Sequence, residues 1–228
     1  MPVVGGSIVA MAAAVTVVAG LATVATKKVH EMFSGGTPKQ KRLDTLLSEW
    51  RAALAERNDG LVTLRDHELD LLALQPELDG KWLRAKFRTT GTVQSIYAED
   101  VAVFIDQTFP KAKEPMRLLL VRTAGYELVF RTKGTTTFVS MDGRPFGRIV
   151  EGVLTLESIR GEAELIAQRD GKTIHLDSEG RTLAILMQPD THRQVVPRAY
   201  EFVDLEQPSD RLLVDTLTYW HILSTLPT

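Results

Sequence analysis

Two stretches of this chain, TTFVSMDGRPFGRI at residues 136–149 and TIHLDSEGRTLAIL at residues 173–186, align with each other position by position. Each stretch reads as a strand, an Asp/Glu-Gly-Arg turn and a second strand. Glycine supplies the left-handed backbone conformation that a tight hairpin requires. The repeat therefore predicts duplicated hairpins in one sheet, because two copies are too few for a solenoid.

The same pattern of short strands and turns extends over most of the distal half of the chain, from Lys81 to Met187. Short apolar or alternating runs are separated by turn signals such as Asp142-Gly143, Asp170-Gly171 and Glu179-Gly180. Many short strands with glycine turns are typical of an antiparallel β-barrel or sandwich. The chain has 228 residues, 44% of them hydrophobic, so it can bury a core and is not disordered throughout.

The chain ends in an apolar run that follows Pro208-Ser209-Asp210, a stop and a helix cap. This run, RLLVDTLTYWHILSTL, has apolar residues around most of its circumference, so we expect a largely buried helix. Its length of about 17 residues, with Asp215 and His221 inside it, argues against a membrane span. A buried final helix after many strands fits a mainly antiparallel barrel or sandwich closed by a helix.

This combination resembles the tubby-like fold of the phospholipid scramblase and LURP-one-related families. The matching residues are FVSMDGRPFG, IHLDSEGRTLA and the final helix DRLLVDTLTYWHIL, and the resemblance spans residues 125–225. It implies a β-barrel wrapped on a helix, often at a membrane and in some members binding phosphoinositides. The chain lacks the cysteine-rich stretch of animal scramblases, and no lipid-binding residue of the family can be carried over.

The N-terminal segment, residues 2–26, contains no charged side chain. About 20 apolar residues suffice to cross the hydrocarbon core of a membrane. A cleaved signal peptide needs basic residues before its apolar part, whereas the first basic residue here is Lys27. A buried helix of a soluble domain would show a polar face, which this run lacks. We therefore predict one transmembrane helix, with the signal peptide and the buried helix as alternatives.

Small residues form a stripe on this predicted helix. They are Gly6, Ala10, Ala13 and Gly20. In lipid, small residues let helix backbones approach closely, so the stripe predicts a packing face for another transmembrane helix. The alternative is that alanine and glycine are simply common in such helices.

Basic residues follow the apolar run instead of preceding it. They are Lys27, Lys28, Lys39, Lys41 and Arg42. The positive-inside rule places such a flank in the cytoplasm, which predicts a single-pass protein with its N-terminus outside and its C-terminal domain cytoplasmic. The same residues are candidate contacts for anionic lipid headgroups. The alternative is that they only determine the topology.

A second helical pattern follows a break at Ser34–Pro38. Leucines and Trp50 recur at helical spacing over residues 39–57, which predicts an amphipathic helix beside the membrane. The alternative is that the apolar face from Leu43 to Leu54 packs on the protein's own core. A further short helix is expected over residues 66–74, where Pro76 stops it.

The predicted fold class is therefore a membrane-anchored α+β protein with three regions. They are a transmembrane helix with its basic flank (1–33), a linker with juxtamembrane helices (34–79), and a β-rich cytoplasmic domain with the C-terminal helix (80–228).

Motifs for catalysis or cofactor binding are missing from the sequence. The chain has no cysteine, no glycine-rich phosphate loop and no G-x-S-x-G elbow. His175 and Asp177 share one strand face and could supply two metal ligands, but no third candidate accompanies them. We predict no catalytic residue, metal or cofactor, and we identify no small-molecule substrate. The acidic distal part of a chain with net charge −2 argues against nucleic-acid binding.

Three functions are compatible with these features. The favoured one is a non-enzymatic accessory or scaffold subunit of an integral membrane complex, with transmembrane subunits and membrane lipid as partners and the β domain capping the cytoplasmic face. The alternative is a tubby-like phospholipid-binding or scramblase-like protein. The third is an enzyme whose site is assembled only by the fold, which a pocket with convergent polar groups would reveal.

Overall fold

The computed structural model describes residues 38–79, 88–110, 115–158, 161–188 and 197–226. Within these ranges, the side chains of residues 38–40, 157–158 and 161–164 are not described. The chain divides into two units, Met1–Leu46 and Leu47–Thr228. All contacts given below lie within the second unit. The division of the chain into the regions 1–33, 34–79 and 80–228 stays a prediction.

The described residues contain twelve strands in one sheet, and each strand pairs antiparallel with its neighbour in the chain. In order they are β1 (Glu77–Leu78), β2 (Arg88–Gln94), β3 (Asp100–Phe109), β4 (Met116–Thr123), β5 (Glu127–Lys133), β6 (Thr136–Met141), β7 (Arg144–Val150), β8 (Val153–Ser158), β9 (Gly161–Asp170), β10 (Thr173–Ser178), β11 (Arg181–Met187) and β12 (Tyr200–Val203).

The strand order in the sheet follows the chain, and no pairing joins β1 to β12 among the described residues, so the sheet is open with these two as its terminal strands. The predicted barrel or sandwich is therefore wrong. Two-residue turns join β5 to β6, β6 to β7, β7 to β8, β9 to β10 and β10 to β11, so these strands follow one another as a meander. A sandwich would need longer connections that carry the chain from one layer to the other.

A short segment before β1 contacts the backbone near both terminal strands. The Ala73 N–H donates to the Gln94 carbonyl at the end of β2, over 2.8 Å. On the other side, the Leu74 N–H donates to the Pro197 carbonyl over 2.8 Å, and the Ala199 N–H donates to the Leu72 carbonyl over 2.7 Å. The segment therefore satisfies backbone groups that would otherwise lie unpaired at the two edges of the sheet.

Two-residue turns set the register of five described hairpins. Both central residues have positive φ in Asp142-Gly143, Glu151-Gly152 and Glu179-Gly180, as type I′ turns require. In the other two hairpins, the first central residue is Gly134 or Gly171, each with a φ of 56°. Such turns match the right-handed twist of the strands that they join.

The two repeated stretches form equivalent hairpins, β6–β7 and β10–β11. The register shifts directly after Val139 in the first hairpin and directly after Leu176 in the second. These two residues occupy equivalent positions in the repeat, and both are fully buried. The duplication seen in the sequence thus extends to the position of a β-bulge.

The described helices are α1 (Pro38–Ala55), two 3₁₀ helices (Asn58–Gly60 and Asp66–Leu71) and α2 (Pro208–Ser224). α2 begins at a proline, and the Gln207 N–H donates to the Asp210 carboxylate over 3.2 Å. The short helix expected after Asp66 is a 3₁₀ helix. It ends at Leu71 because the next residues hydrogen-bond to the sheet edges.

One face of the sheet packs against α2 and forms the main core. Every strand from β2 to β12 contributes an apolar side chain to this core. The helix contributes Leu213, Val214, Leu217, Tyr219, Ile222 and Leu223. These helix residues are close to completely buried, as the apolar circumference of the run predicts.

A second apolar layer lies on the opposite face of β3, β4 and β5. Its strand residues alternate with those of the main core, and they are Val103, Ile105, Leu118, Leu120 and Val129. Trp50 and Leu54 of α1 are also buried outside the main core. The end of α1 therefore covers this part of the outer face.

The predicted membrane anchor needs correction. Among the residues that the structure describes, no helix is both long and apolar enough to span a membrane. α2 has only 17 residues and contains Asp210, Arg211, Asp215 and His221, whereas about 20 apolar residues are needed. This finding overturns the predicted membrane-anchored, single-pass protein with an outside N-terminus and a cytoplasmic domain. The proposed span, residues 2–26, lies outside the described residues.

Candidate functional site

Three buried carboxylates in the second unit, Asp106, Asp215 and Glu127, bind arginines. Asp106 on β3 accepts from Arg117 Nε and Nη2 over 2.8 and 2.7 Å. The same guanidinium donates to the carbonyls of Leu223 and Ser224 at the end of α2, over 2.6 and 2.9 Å. A cation is favourable at a helix C-terminus, where the last carbonyls lack partners. Arg117 therefore fastens the end of α2 to the sheet.

A second ion pair fastens the middle of α2. Asp215 accepts from Arg211 Nε and from the Tyr126 hydroxyl, each over 2.7 Å. Burial raises the pKa of Asp215, whereas Arg211 and the hydrogen bond from Tyr126 oppose that rise. Arg211 Nη1 also donates to Asp66 over 3.0 Å. This network ties the helix to the β4–β5 connection and to a 3₁₀ helix.

A third cluster holds the end of α1 against the outer face. Glu127 accepts from Arg51 Nη2 over 2.7 Å and from Arg122 Nη2 over 2.9 Å. Its backbone N–H donates to Asp142 over 2.9 Å. Breaking a buried pair of this kind leaves an uncompensated charge, which is strongly destabilising. These three clusters use their charges to fasten helices to the sheet, so their role is architectural.

The outer face of β10, β11 and β12 carries a different kind of surface. Phe202 of the terminal strand is 44% exposed and pairs with Ile185 of β11. Glu201 and Asp204 beside it are exposed. We call these four residues the Phe202 surface. It combines an accessible aromatic ring with neighbouring carboxylates.

The predicted metal pair lies next to this surface. His175 pairs with Ile185 across β10 and β11, so it shares the outer face with Asp177 two residues later. Asp177 accepts a hydrogen bond from the Thr182 hydroxyl over 2.6 Å. In the described part of the chain, no cluster of three or more potential ligands could hold a metal ion. Among the described residues, the structure therefore places no third ligand beside His175 and Asp177.

Buried polar groups lie near the place where Trp50 of α1 contacts Arg88 of β2. The Trp50 side chain is completely buried, and the Arg88 guanidinium carbon lies 5.5 Å from the centroid of its ring. Thr90 follows Arg88 on the same face of β2 and is 4% exposed. Among the described residues, neither Trp50 Nε1 nor Thr90 Oγ1 has a hydrogen-bond partner. By contrast, the next residue on this face, Thr92, accepts a hydrogen bond from Arg57.

Most of the residues predicted as sites lie outside the described residues. They are Gly6, Ala10, Ala13 and Gly20 of the predicted packing face, together with Lys27 and Lys28. Lys39 belongs to the first turn of α1, and its side chain is not described. Lys41 and Arg42 are exposed on α1.

Sequence reasoning identified neither the Phe202 surface nor the buried polar atoms of Trp50 and Thr90. Trp50 was expected only as part of an apolar helix face, and Thr90 carried no signal because threonine is ordinary in strands. Phe202 follows a run, residues 188–197, whose sequence predicts a loop. Its exposure arises because β12 ends the sheet.

No family model matches the chain, no curated protein matches it, and no solved structure matches it. The resemblance to the tubby-like fold therefore stays a prediction.

Proposed function

We propose that this protein is a non-enzymatic accessory or scaffold subunit that binds a partner protein through the Phe202 surface. The observation that carries this proposal is the 44% exposure of Phe202 beside Ile185 on a terminal strand. Aromatic residues are enriched at the centres of protein interfaces, where they supply much of the binding energy.

The charges around Phe202 indicate the chemistry of the partner. Glu201 and Asp204 are exposed next to the ring, whereas Glu206, two residues before α2, pairs with Arg181 over 3.7 Å. A complementary partner therefore presents an apolar pocket or groove with lysine or arginine at its rim. Such a rim speeds association and selects against acidic partners.

The ion pairs of the second unit support a binding role. Arg117 and Arg211 each join α2 to groups elsewhere in the fold. A surface built on a fixed support loses little conformational freedom when a partner binds. The Phe202 surface adjoins α2 through the connection after β12, so it has such a support.

Affinity capture with the full-length chain tests this proposal. We expect a basic protein to be recovered in stoichiometric amount with the wild type and to be lost with Phe202→Ser. Glu201→Lys with Asp204→Lys should weaken the recovery, and added salt should do the same, because exposed charges are screened.

Tyr97 provides the matched control, since it is an aromatic residue 67% exposed in the turn between β2 and β3. Tyr97→Ser should retain the partner. Both serine variants should unfold at the wild-type temperature, which shows that the fold is intact. Recovery of the same proteins with wild type, Phe202→Ser and Tyr97→Ser would contradict the proposal.

A second candidate function is phospholipid binding through the basic start of α1. Lys41 and Arg42 are exposed there, and each basic residue near an anionic leaflet contributes about 1 kcal/mol. Flotation with anionic vesicles should then fall with added salt and with Lys41→Gln and Arg42→Gln. Equal binding to neutral vesicles would exclude this candidate.

A further inference from the structure

We propose that a second copy of this chain binds the Phe202 surface through a patch on the outer face of β7, β8 and β9. The inference rests on the proposed function, because it names a partner for the surface described there. It begins from the chemistry that the Phe202 surface requires. An exposed aromatic ring beside carboxylates needs an apolar patch with arginine or lysine at its rim.

The outer face of β7, β8 and β9 carries such an apolar patch. Val150 of β7 is 36% exposed. It pairs directly with Val153 of β8, which pairs in turn with Ile166 of β9, and both of these side chains are partly exposed. Directly paired residues share one face of a sheet, with Cβ atoms about 5 Å apart. Their chain neighbours on the opposite face belong to the main core, and they are Ile149, Leu154 and Leu165.

An exposed arginine borders this apolar row. Arg148 lies two residues before Val150, so its side chain is on the same face of β7. Among the described residues, Arg148 forms no ion pair. Glu151 belongs to the turn that follows β7, at the border of the patch. We call Arg148, Val150, Val153 and Ile166 the Val150 surface.

The charges of the two surfaces are complementary. Glu201 and Asp204 are exposed beside Phe202, and neither carboxylate forms an ion pair in the described part of the chain. Arg148 of a second copy gives these carboxylates a cation, while the aromatic ring covers Val150. Two Phe202 surfaces placed together would instead bring like charges into contact, which is unfavourable. The Val150 surface is therefore the better partner.

The two surfaces lie on different strands, so one copy can use both at once. The Val150 surface ends at β9, the Phe202 surface begins at β11, and β10 lies between them. Both belong to the outer face of one sheet, so a chain cannot fold one surface onto the other. Contact between unlike surfaces is head-to-tail, which generates rings or open chains instead of twofold dimers. Because each patch is small, we expect a weak and reversible contact.

Sedimentation velocity of the purified full-length chain tests the inference. We expect the mean mass to rise with protein concentration and to fall with added salt, because exposed charges are screened. Phe202→Ser should weaken self-association about tenfold, as the loss of an aromatic residue from an interface does. Val150→Ser with Arg148→Glu should weaken it similarly, because these changes block the other side of the contact.

Mixing the two blocked variants distinguishes the head-to-tail contact from any other. Phe202→Ser keeps the Val150 surface, whereas Val150→Ser with Arg148→Glu keeps the Phe202 surface. Neither variant should associate with itself, but the mixture should form one-to-one dimers and no longer chains. In one chain, the combined changes Arg148→Glu, Glu201→Lys and Asp204→Lys should restore self-association, since the charges of the two surfaces are then exchanged.

Matched control variants lie elsewhere on the sheet. Arg144→Glu makes the same charge change at another exposed arginine of β7, and Leu78→Ser removes an apolar side chain that is 37% exposed on β1. Both should associate as the wild type does, and all variants should unfold at the wild-type temperature. If Phe202→Ser does not fold, Glu201→Lys with Asp204→Lys takes its place, because both of these side chains are exposed.

Three results would overturn the inference. They are a chain that stays monomeric at every concentration, self-association that persists in either blocked variant, and blocked variants that do not bind each other. Affinity capture judges the proposed function separately. A monomeric chain whose Phe202 surface still captures a basic protein refutes self-association alone, whereas equal capture by the wild type and Phe202→Ser refutes the proposed function.

Discussion

At the scale of single residues, this protein places several ionisable groups where their partners come from distant sequence. Arg51 and Glu127 are 76 positions apart, and Arg117 bonds a carbonyl 107 positions away. No local pattern encodes such pairs, because each partner is ordinary in its own segment. Their effect on stability follows from burial, which makes an unpaired charge costly.

His221 near the end of α2 should make stability depend on pH. Burial, and then the charge of Arg169, lower the pKa of His221 from its usual value of 6.5. The folded state therefore holds this proton less tightly than the unfolded state does. The stability that depends on neutral His221 is fully present above about pH 6.5. It is lost as the pH falls from that value towards the lowered pKa of the folded state.

His221→Gln should remove this part of the acid loss. Urea unfolding at about pH 8 and about pH 5 measures it as the change in the free energy of unfolding. His67→Gln is the control, because the His67 side chain is 73% exposed. An unchanged pH dependence in His221→Gln would show that His221 does not carry the effect.

Gly91 on β2 is a position where no side chain fits. A Cβ there would contact the Glu77 carbonyl of β1 and would lie 2.9 Å from Cζ of Phe104. Gly91→Ala should therefore destabilise the protein by about 1–3 kcal/mol, as overpacking does. Gly60→Ala is the control, since a Cβ at Gly60 would have nothing within 4 Å. Thermal unfolding compares the two, and equal stability would refute the clash.

At the scale of elements, turn chemistry decides how the strands follow one another. Asp142-Gly143 and Glu179-Gly180 were recognised as turns in the sequence, and both have the backbone of type I′ hairpins. Glu151-Gly152 has the same backbone. Glycine-containing pairs therefore predicted hairpins well, because positive φ excludes most other residues.

Glu179 occupies a left-handed conformation, with a φ of 52°, that glutamate disfavours. Asparagine tolerates this conformation better and leads the preferred type I′ pair Asn-Gly. Glu179→Asn should therefore stabilise the protein by about 0.5 kcal/mol. Thr135→Asn, at the second position of the β5–β6 turn, should have no such effect. Chemical denaturation measures both, and a destabilised Glu179→Asn would contradict this account of the turn.

At the scale of the whole molecule, α2 and the sheet depend on each other. The apolar side chains of the helix fill the core, and the core residues of the sheet come from strands along its whole order. Arg117 adds hydrogen bonds at the end of the helix, where its guanidinium binds both Asp106 and two helix carbonyls. Removing that arginine affects the helix and the sheet together.

Arg117→Met should cost about 3–5 kcal/mol, because it leaves the fully buried Asp106 carboxylate without its cation. The double variant Asp106→Leu with Arg117→Met should recover most of this loss, since no charge then stays buried. Urea unfolding of the wild type, both single variants and the double variant gives the coupling free energy. Strictly additive losses would show that Asp106 and Arg117 do not stabilise each other.

The sequence by itself determined the local structure of this protein. Apolar periodicity gave α2, glycine turns gave the hairpins, and the repeat gave two equivalent hairpins, because these features depend on neighbours within a few residues. Only the tertiary structure decided that the strands form one open sheet, that the end of α1 covers β3–β5, and that Phe202 stays exposed while Trp50 and Thr90 are buried. Those outcomes depend on contacts between residues far apart in the chain, which no local pattern records.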